Sequence, residues 1–237
     1  MPNVNLYSQA LNPFTEKVAC ALALKGVDYR RIEVSDVEEI KRLSPDKQTL
    51  PVLEVDGKRV SESGEILVWL EQLFPEPSLF SALPRIRRQQ ESLAIWSDAS
   101  FAFYWNRWRT ARDEHERKQA RSSPGLLTRI HQRVEERMGI ESEPANEVIP
   151  GTEIISEELS ARLDDLVGFL GSRPYFYADQ LSVADLAVFG MLLLMRDGPM
   201  AGSAVMLAER PTLVAHTVRL IELSRRGSEA GRKTLEA

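Results

Sequence analysis

The chain has 237 residues, enough for one or two domains and a sizeable buried core without disulfides or metals. Hydrophobic residues make up 43% and charged residues 27%, close to the globular average, which excludes an intrinsically disordered or collagen-like polymer. The formal net charge is −5 and neither side of Pro84 is basic overall, so there is no electrostatic footprint for nucleic acid.

A single cysteine, Cys20, allows no intrachain disulfide and suits a reducing compartment. The longest apolar run, Leu186 to Met195, is far shorter than the ~20 residues of a membrane span and reads as a buried helix. No basic stretch followed by an apolar one opens the sequence, so no targeting segment and no membrane insertion are expected, and the cytoplasm is the expected location.

In chain order, Val4 to Ser8 alternates as a strand. Pro13 to Lys25 reads as a helix, with Asn12 as N-cap, Pro13 at its first position and Gly26 past its end. Tyr29 to Val34 alternates again, and Asp36 to Leu43 reads as a short helix ended by Pro45. Val52 to Val55 and Lys58 to Ser61 flank Asp56-Gly57, a pair suited to a type I′ turn, and predict a hairpin. Ile66, Leu67, Leu70, Leu73 and Phe74 fall on one helical face before Pro75 and Pro77. The order is β-α-β-α-β-β-α.

LFPEPSLFSALP, from Leu73 to Pro84, has three prolines and no period, as expected of a linker. Beyond it everything reads as helical: a long pattern from Arg85 to Arg121, a second helix through Leu126, Ile130, Val134 and Met138, a loop from Gly139 to Thr152, and a third helix from Glu153 to Leu170. Ser182-Val-Ala-Asp185 is a capping box that starts a buried helix. Gly198 to Gly202 breaks that helix, Pro211 starts the next, and Ser224 to Ala237 is expected to fray. The predicted fold is an α/β domain over 1–78, a linker at 79–85 and an all-helical domain over 86–237.

Cys20 lies mid-helix, away from the helix start that would lower its pKa, and is expected to be buried and inert. His115, His131 and His216 lack metal-ligand spacing, so no metal site is expected. The tract from Arg107 to Arg121 mixes both signs and reads as a solvated helix with i,i+4 pairs.

Four stretches carry a resemblance: LYSQALNPFTEKVACALALKGVDY, Leu50-Pro51-Val52-Leu53 before the hairpin, Ser61-Glu62-Ser63 after it, and LSVADLAVFG in the helical half. Together they resemble the cytosolic glutathione transferase family, whose first domain is thioredoxin-like. The first stretch is most similar to the serine-type classes, zeta in particular, whereas Asp98 to Thr152 matches no class.

The resemblance implies glutathione as co-substrate, an electrophilic, apolar second substrate, and a homodimer. It implies a cis Leu50-Pro51 bond that turns the Leu50 backbone toward the cysteinyl residue of the tripeptide; from the residues alone a trans proline at an edge strand is the favoured reading. It gives the γ-glutamyl carboxylate to the Ser63 hydroxyl and N–H, and the ammonium group to Glu62, where the residues alone allow a plain helix cap. It lines the electrophile pocket with one or two of Phe101, Tyr104, Trp105 and Trp108, although most aromatics at helical spacing are core or dimer contacts.

At the catalytic position, where serine-type classes carry a hydroxyl and thiol-type classes a cysteine, this chain has Asn12. Its oxygen can cap the helix while its NH₂ group donates to a thiolate, and Tyr7 and Ser8 are the fallback hydroxyl donors. Because Asn12 departs from the pattern, a catalytically weak or inactive binding or carrier protein is the alternative to a transferase. A thiol-dependent lyase or reductase would need a cysteine there.

Overall fold

The computed structural model describes residues 2–10, 12–122, 152–200 and 202–235, with side chains described to 118 in the long helix and to 225 in the last one. The second predicted helix, through Leu126 and Met138, and most of the predicted loop after Gly139 lie outside the described residues.

The first part alternates strands and helices as the pattern predicts: β1 (Val4–Ser8), α1 (Pro13–Leu24), β2 (Arg30–Glu33), α2 (Val37–Leu43), β3 (Val52–Val55), β4 (Lys58–Ser61) and α3 (Ser63–Leu73). The sheet order is β2-β1-β3-β4, with β1 parallel to β2 and antiparallel to β3, and β3 antiparallel to β4. Asp56 and Gly57 both have positive φ, 49° and 83°, as a type I′ turn demands. Alternation sorts the strand residues between two faces. Leu6, Leu53 and Val55 pack on α1 and α3, while Tyr7, Ile32 and Val52 face Ile40 and Leu43 of α2.

Helices follow: α4 (Pro84–Ser122), α5 (Glu153–Leu170), α6 (Val183–Asp197), α7 (Ser203–Ala208) and α8 (Pro211–Leu235). Helix α4 starts inside the predicted linker, consistent with proline's tolerance at a first helical position. The backbone of α8 stays helical to Leu235 rather than fraying after Ser224. Gly227 and Gly231 each cost about 1 kcal/mol in a helix, too little to end one that is anchored upstream. The combination is a thioredoxin-like domain followed by a helical domain.

The two parts share a core. Val183, Leu186, Ala187 and Phe189 of α6 and Leu220 of α8 join the apolar cluster of the sheet and α1. Gly190 makes this contact possible: a Cβ there would stand 2.1 Å from the Pro13 carbonyl oxygen, so α6 meets the start of α1 at a distance only glycine allows. The capping box is present, and Asp185 does more than cap. Its Oδ1 accepts from the Phe176 N–H and lies 2.9 Å from His216 Nε2, all three groups being fully buried.

The linker is fastened by Lys25, whose buried ammonium donates to Glu71 Oε2 (2.9 Å) and to the carbonyls of Phe74 (2.5 Å) and Pro77 (2.9 Å). Glu76-Pro77 in this segment is cis. Among the described residues no helix is long and apolar enough to cross a membrane.

Candidate active site

Three backbone features converge at the ends of the central strands β1 and β3: the start of α1, the Leu50-Pro51 turn and the start of α3. The Leu50-Pro51 bond is cis, as the resemblance implies. Asn12 precedes α1 in extended conformation, and its Oδ1 accepts from the N–H groups of Phe14 (2.9 Å) and Thr15 (3.2 Å). Its Nδ2 donates to the Leu50 carbonyl at 3.3 Å. The cap and the tie to the proline turn thus use both ends of one amide, leaving one N–H of the NH₂ group for a further acceptor.

Glu62 caps α3. Its carboxylate accepts from the Gly64 and Glu65 N–H groups, each at 3.2 Å. It does so at φ 78°, a conformation that costs a non-glycine residue of order 1–3 kcal/mol and tends to be kept where a site requires it. Ser63 follows, 3% exposed, and its Oγ accepts from Lys17 Nζ at 3.4 Å.

Lys17 and Asp98 are the residues that sequence reasoning missed here. The Lys17 ammonium, 2% exposed, reaches across from α1 to Asp98 Oδ2 of α4 at 2.6 Å. Burial pushes the Asp98 carboxyl above the usual range, with Glu62 adding to the rise and Lys17 opposing it. Breaking such a pair by removing one partner typically costs about 3–5 kcal/mol. The signals were present: Lys17 sits in the apolar stripe of α1, and Asp98 is the sole charge between Leu93 and Trp105.

Tyr7 and Ser8 do not join this group. Tyr7 OH faces Glu54 Oε2 at 3.5 Å on the α2 side of the sheet, with Arg59 over its ring. Ser8, fully buried, donates to the Ile32 carbonyl (3.4 Å) and accepts from Arg31 Nε (3.3 Å).

Of the four aromatic residues, Phe101, Tyr104 and Trp108 are buried in the helical core, packed with Ile155, Leu159 and Leu163 of α5 and Met191 of α6. Spacings of three and four put all three on one helical face. Trp105 is partly exposed and stacks between Phe101 and Trp108, with centroids at 6.3 and 5.0 Å. Cys20 is 1% exposed and its thiol is pushed up to about 12, by burial above all. No group of three His, Cys, Asp or Glu side chains that would hold a metal occurs among the described residues.

A model of the glutathione S-transferase N-terminal domain matches residues 6–78, the segment that contains α1, the cis-proline turn and the start of α3. Residues 6–78 belong to the glutathione S-transferase N-terminal domain family. Among similar proteins, maleylacetoacetate isomerase of Rattus norvegicus is 36% identical over 90 residues, 35% of this chain and 41% of the isomerase. A probable glutathione S-transferase of Solanum tuberosum is 30% identical over 121 residues, 49% of this chain and 55% of that protein. The chain thus spans about half the length of these curated relatives. A glutathione transferase family member from Pseudomonas fluorescens, solved with two glutathione bound, has a TM-score of 0.66 at 18% identity, covering 95% of this chain and 92% of that one, and shares the fold.

Proposed function

We propose that this protein binds reduced glutathione in its first domain and activates the thiol for attack on an electrophilic, apolar small molecule. The observation that carries the reading is the convergence of Asn12, the cis Leu50-Pro51 turn and Ser63 within the segment matched by the family model. In this reading the Leu50 backbone pairs with the cysteinyl residue, Ser63 and its N–H receive the γ-glutamyl carboxylate at the positive end of α3, and Glu62 takes the ammonium group. The free N–H of Asn12 donates to the sulfur. An unperturbed thiol is about 3% ionised at pH 7, and a two-unit drop in pKa requires about 2.7 kcal/mol. One charge-assisted hydrogen bond contributes about 1.5–3 kcal/mol and the α1 dipole about 0.3–1 kcal/mol, a combined range that brackets the requirement.

Trp105 is the candidate for contact with the second substrate, being the member of its aromatic group that is not enclosed. We take the domains as 1–78 and 86–237, the enzyme as cytoplasmic, and the assembly as a homodimer. Val68 of α3 and Leu83, Ile95 and Phe103 in and beside α4, exposed at 48%, 65%, 71% and 53%, support the dimer.

One observation favours a second reading, a binding or carrier protein with little turnover: Asn12 already spends its oxygen on the helix cap and one N–H on Leu50. Calorimetric titration with glutathione, followed by a turnover screen that includes aryl halides, epoxides and maleylacetoacetate, separates the two. Binding with turnover is expected. Binding without turnover on any electrophile supports the carrier, and absence of glutathione binding rejects the transferase.

A further inference from the structure

Helix α1 carries a second lining surface besides the one at the candidate active site. Glu16, Ala19, Cys20 and Ala23, spaced i, i+3, i+4 and i+7, share a face distinct from that of Lys17 and line a cleft against β2, α6 and α8. Its volume is about 400 Å³, within the range of small-molecule sites. The small side chains of α1 leave the room, and Tyr29, Phe189, Leu193 and Ile221 supply apolar walls. None of its described lining residues belongs to the cis-proline turn, the start of α3 or the aromatic group of α4.

Three arginines stand round the cleft, one from each of the other elements: Arg31 of β2, Arg196 of α6 and Arg225 of α8. Two of them are already matched. Arg31 donates to Glu16 Oε1 at 2.6 Å, and Arg196 holds both carboxylate oxygens of Asp197, at 2.7 and 2.6 Å. Arg225 has no acceptor among the described residues, and the Tyr29 hydroxyl has no hydrogen-bond partner among them. Burial above all raises the Tyr29 pKa, so this hydroxyl stays a neutral donor.

The cleft therefore offers apolar walls, one unmatched positive charge and one spare hydroxyl donor. A generally basic surface does not account for the charge, because the chain is −5 overall. The guanidinium fork matches a carboxylate in shape, and a single negative charge balances Arg225.

We infer that this cleft binds a small apolar monocarboxylate, with Arg225 and the Tyr29 hydroxyl on the carboxylate and the apolar body against Leu193 and Ile221. The site is separate from the proposed glutathione and electrophile sites, so both can be filled at once.

The test uses 2-naphthylacetate and its neutral isostere 2-naphthylacetamide as probes, titrated calorimetrically into wild type, Arg225→Ala and Arg225→Lys. Each titration is repeated in the presence of saturating S-hexylglutathione, which fills the proposed glutathione and electrophile sites. Arg225 is exposed, so neither substitution endangers the fold, and glutathione affinity should not change. Wild type is expected to bind the acid with or without S-hexylglutathione. Arg225→Ala should weaken the acid at least about threefold and the amide less than about twofold, with part of the loss restored in Arg225→Lys. Added salt should weaken the acid and not the amide. An acid that wild type does not bind, or binds no better than the amide, overturns the inference, as does unchanged acid affinity in Arg225→Ala. Displacement of the acid by S-hexylglutathione places it in the electrophile pocket and overturns the inference as well. Failure of glutathione itself to bind overturns the transferase reading alone, and the Arg225 variants then decide this one.

Discussion

The Asn12 amide nitrogen lies 3.3 Å from the Leu50 carbonyl, so the residue that starts α1 also holds the turn of the cis-proline. Fold and site therefore share one side chain. Asn12→Ala removes a cap, worth about 0.5–2 kcal/mol, and a hydrogen bond worth about 0.5–1.5 kcal/mol. Asn12→Ser keeps a capping oxygen and loses only the amide donor. Urea unfolding midpoints should therefore rank wild type above Asn12→Ser and Asn12→Ser above Asn12→Ala. Equal midpoints for serine and alanine would show that the cap contributes nothing.

Gly190 offers a test in which two rules have opposite signs. Helix propensity alone makes Gly190→Ala stabilising by about 1 kcal/mol. The Cβ, however, would stand 2.1 Å from the Pro13 carbonyl oxygen, and overpacking of a close helix contact costs about 1–3 kcal/mol or more. Net destabilisation is expected, with weaker glutathione binding because the start of α1 must shift. A raised unfolding midpoint would contradict the close packing of α6 on α1.

The linker should be acid-sensitive through Glu71. Burial acts to raise its pKa, but hydrogen bonds from Ser78 and Lys25 and the Leu79 N–H outweigh it and hold the carboxyl below the usual range. A depressed folded pKa stabilises fully above the unfolded value, about 4.3, and that contribution is lost as pH falls through the folded value. Asp98, raised by burial, acts with the opposite sign, so its contribution must be cancelled by comparing variants. The stability difference between wild type and Glu71→Gln should shrink as pH is lowered from 6 toward 3, roughly the range of carboxylate titration. A pH-independent difference in urea unfolding would contradict the assignment.

Cys20 should resist chemistry in the native state. Its thiol is buried, pushed up to about 12, and accepts from the Ser224 hydroxyl at 3.0 Å. Alkylation by iodoacetamide at pH 8 is expected only in denaturant. Rapid labelling of native protein would show that α1 and α8 separate readily.

Much of the element order was legible because its signals are local. Asp56-Gly57 fixes the hairpin turn, Asn12-Pro13 fixes the start of α1, and Ser182 with Asp185 fixes the start of α6. What escaped is long-range. Lys17 meets Asp98 across 81 residues and His216 meets Asp185 across 31, and neither partner can be read from spacing. Tyr7 and Ser8 show a different gap: as neighbours in a strand they must face opposite sides of the sheet, and their hydroxyls are engaged there by Glu54 and by Ile32 and Arg31. The aromatic residues of α4 fit both core and pocket patterns, and only packing separates Trp105 from the enclosed Phe101, Tyr104 and Trp108.

The most direct test of thiol activation is the pKa of bound glutathione, followed by thiolate absorbance as pH is raised, in wild type, Asn12→Ala, Tyr7→Phe and Ser8→Ala. The account predicts a wild-type thiol that titrates about two units below its free value of about 8.5, returned upward by at least about one unit in Asn12→Ala and unmoved in the other two. A wild-type complex with no thiolate at pH 7, or an Asn12→Ala variant with unchanged pKa and turnover, would contradict activation by Asn12 and leave the carrier reading in its place.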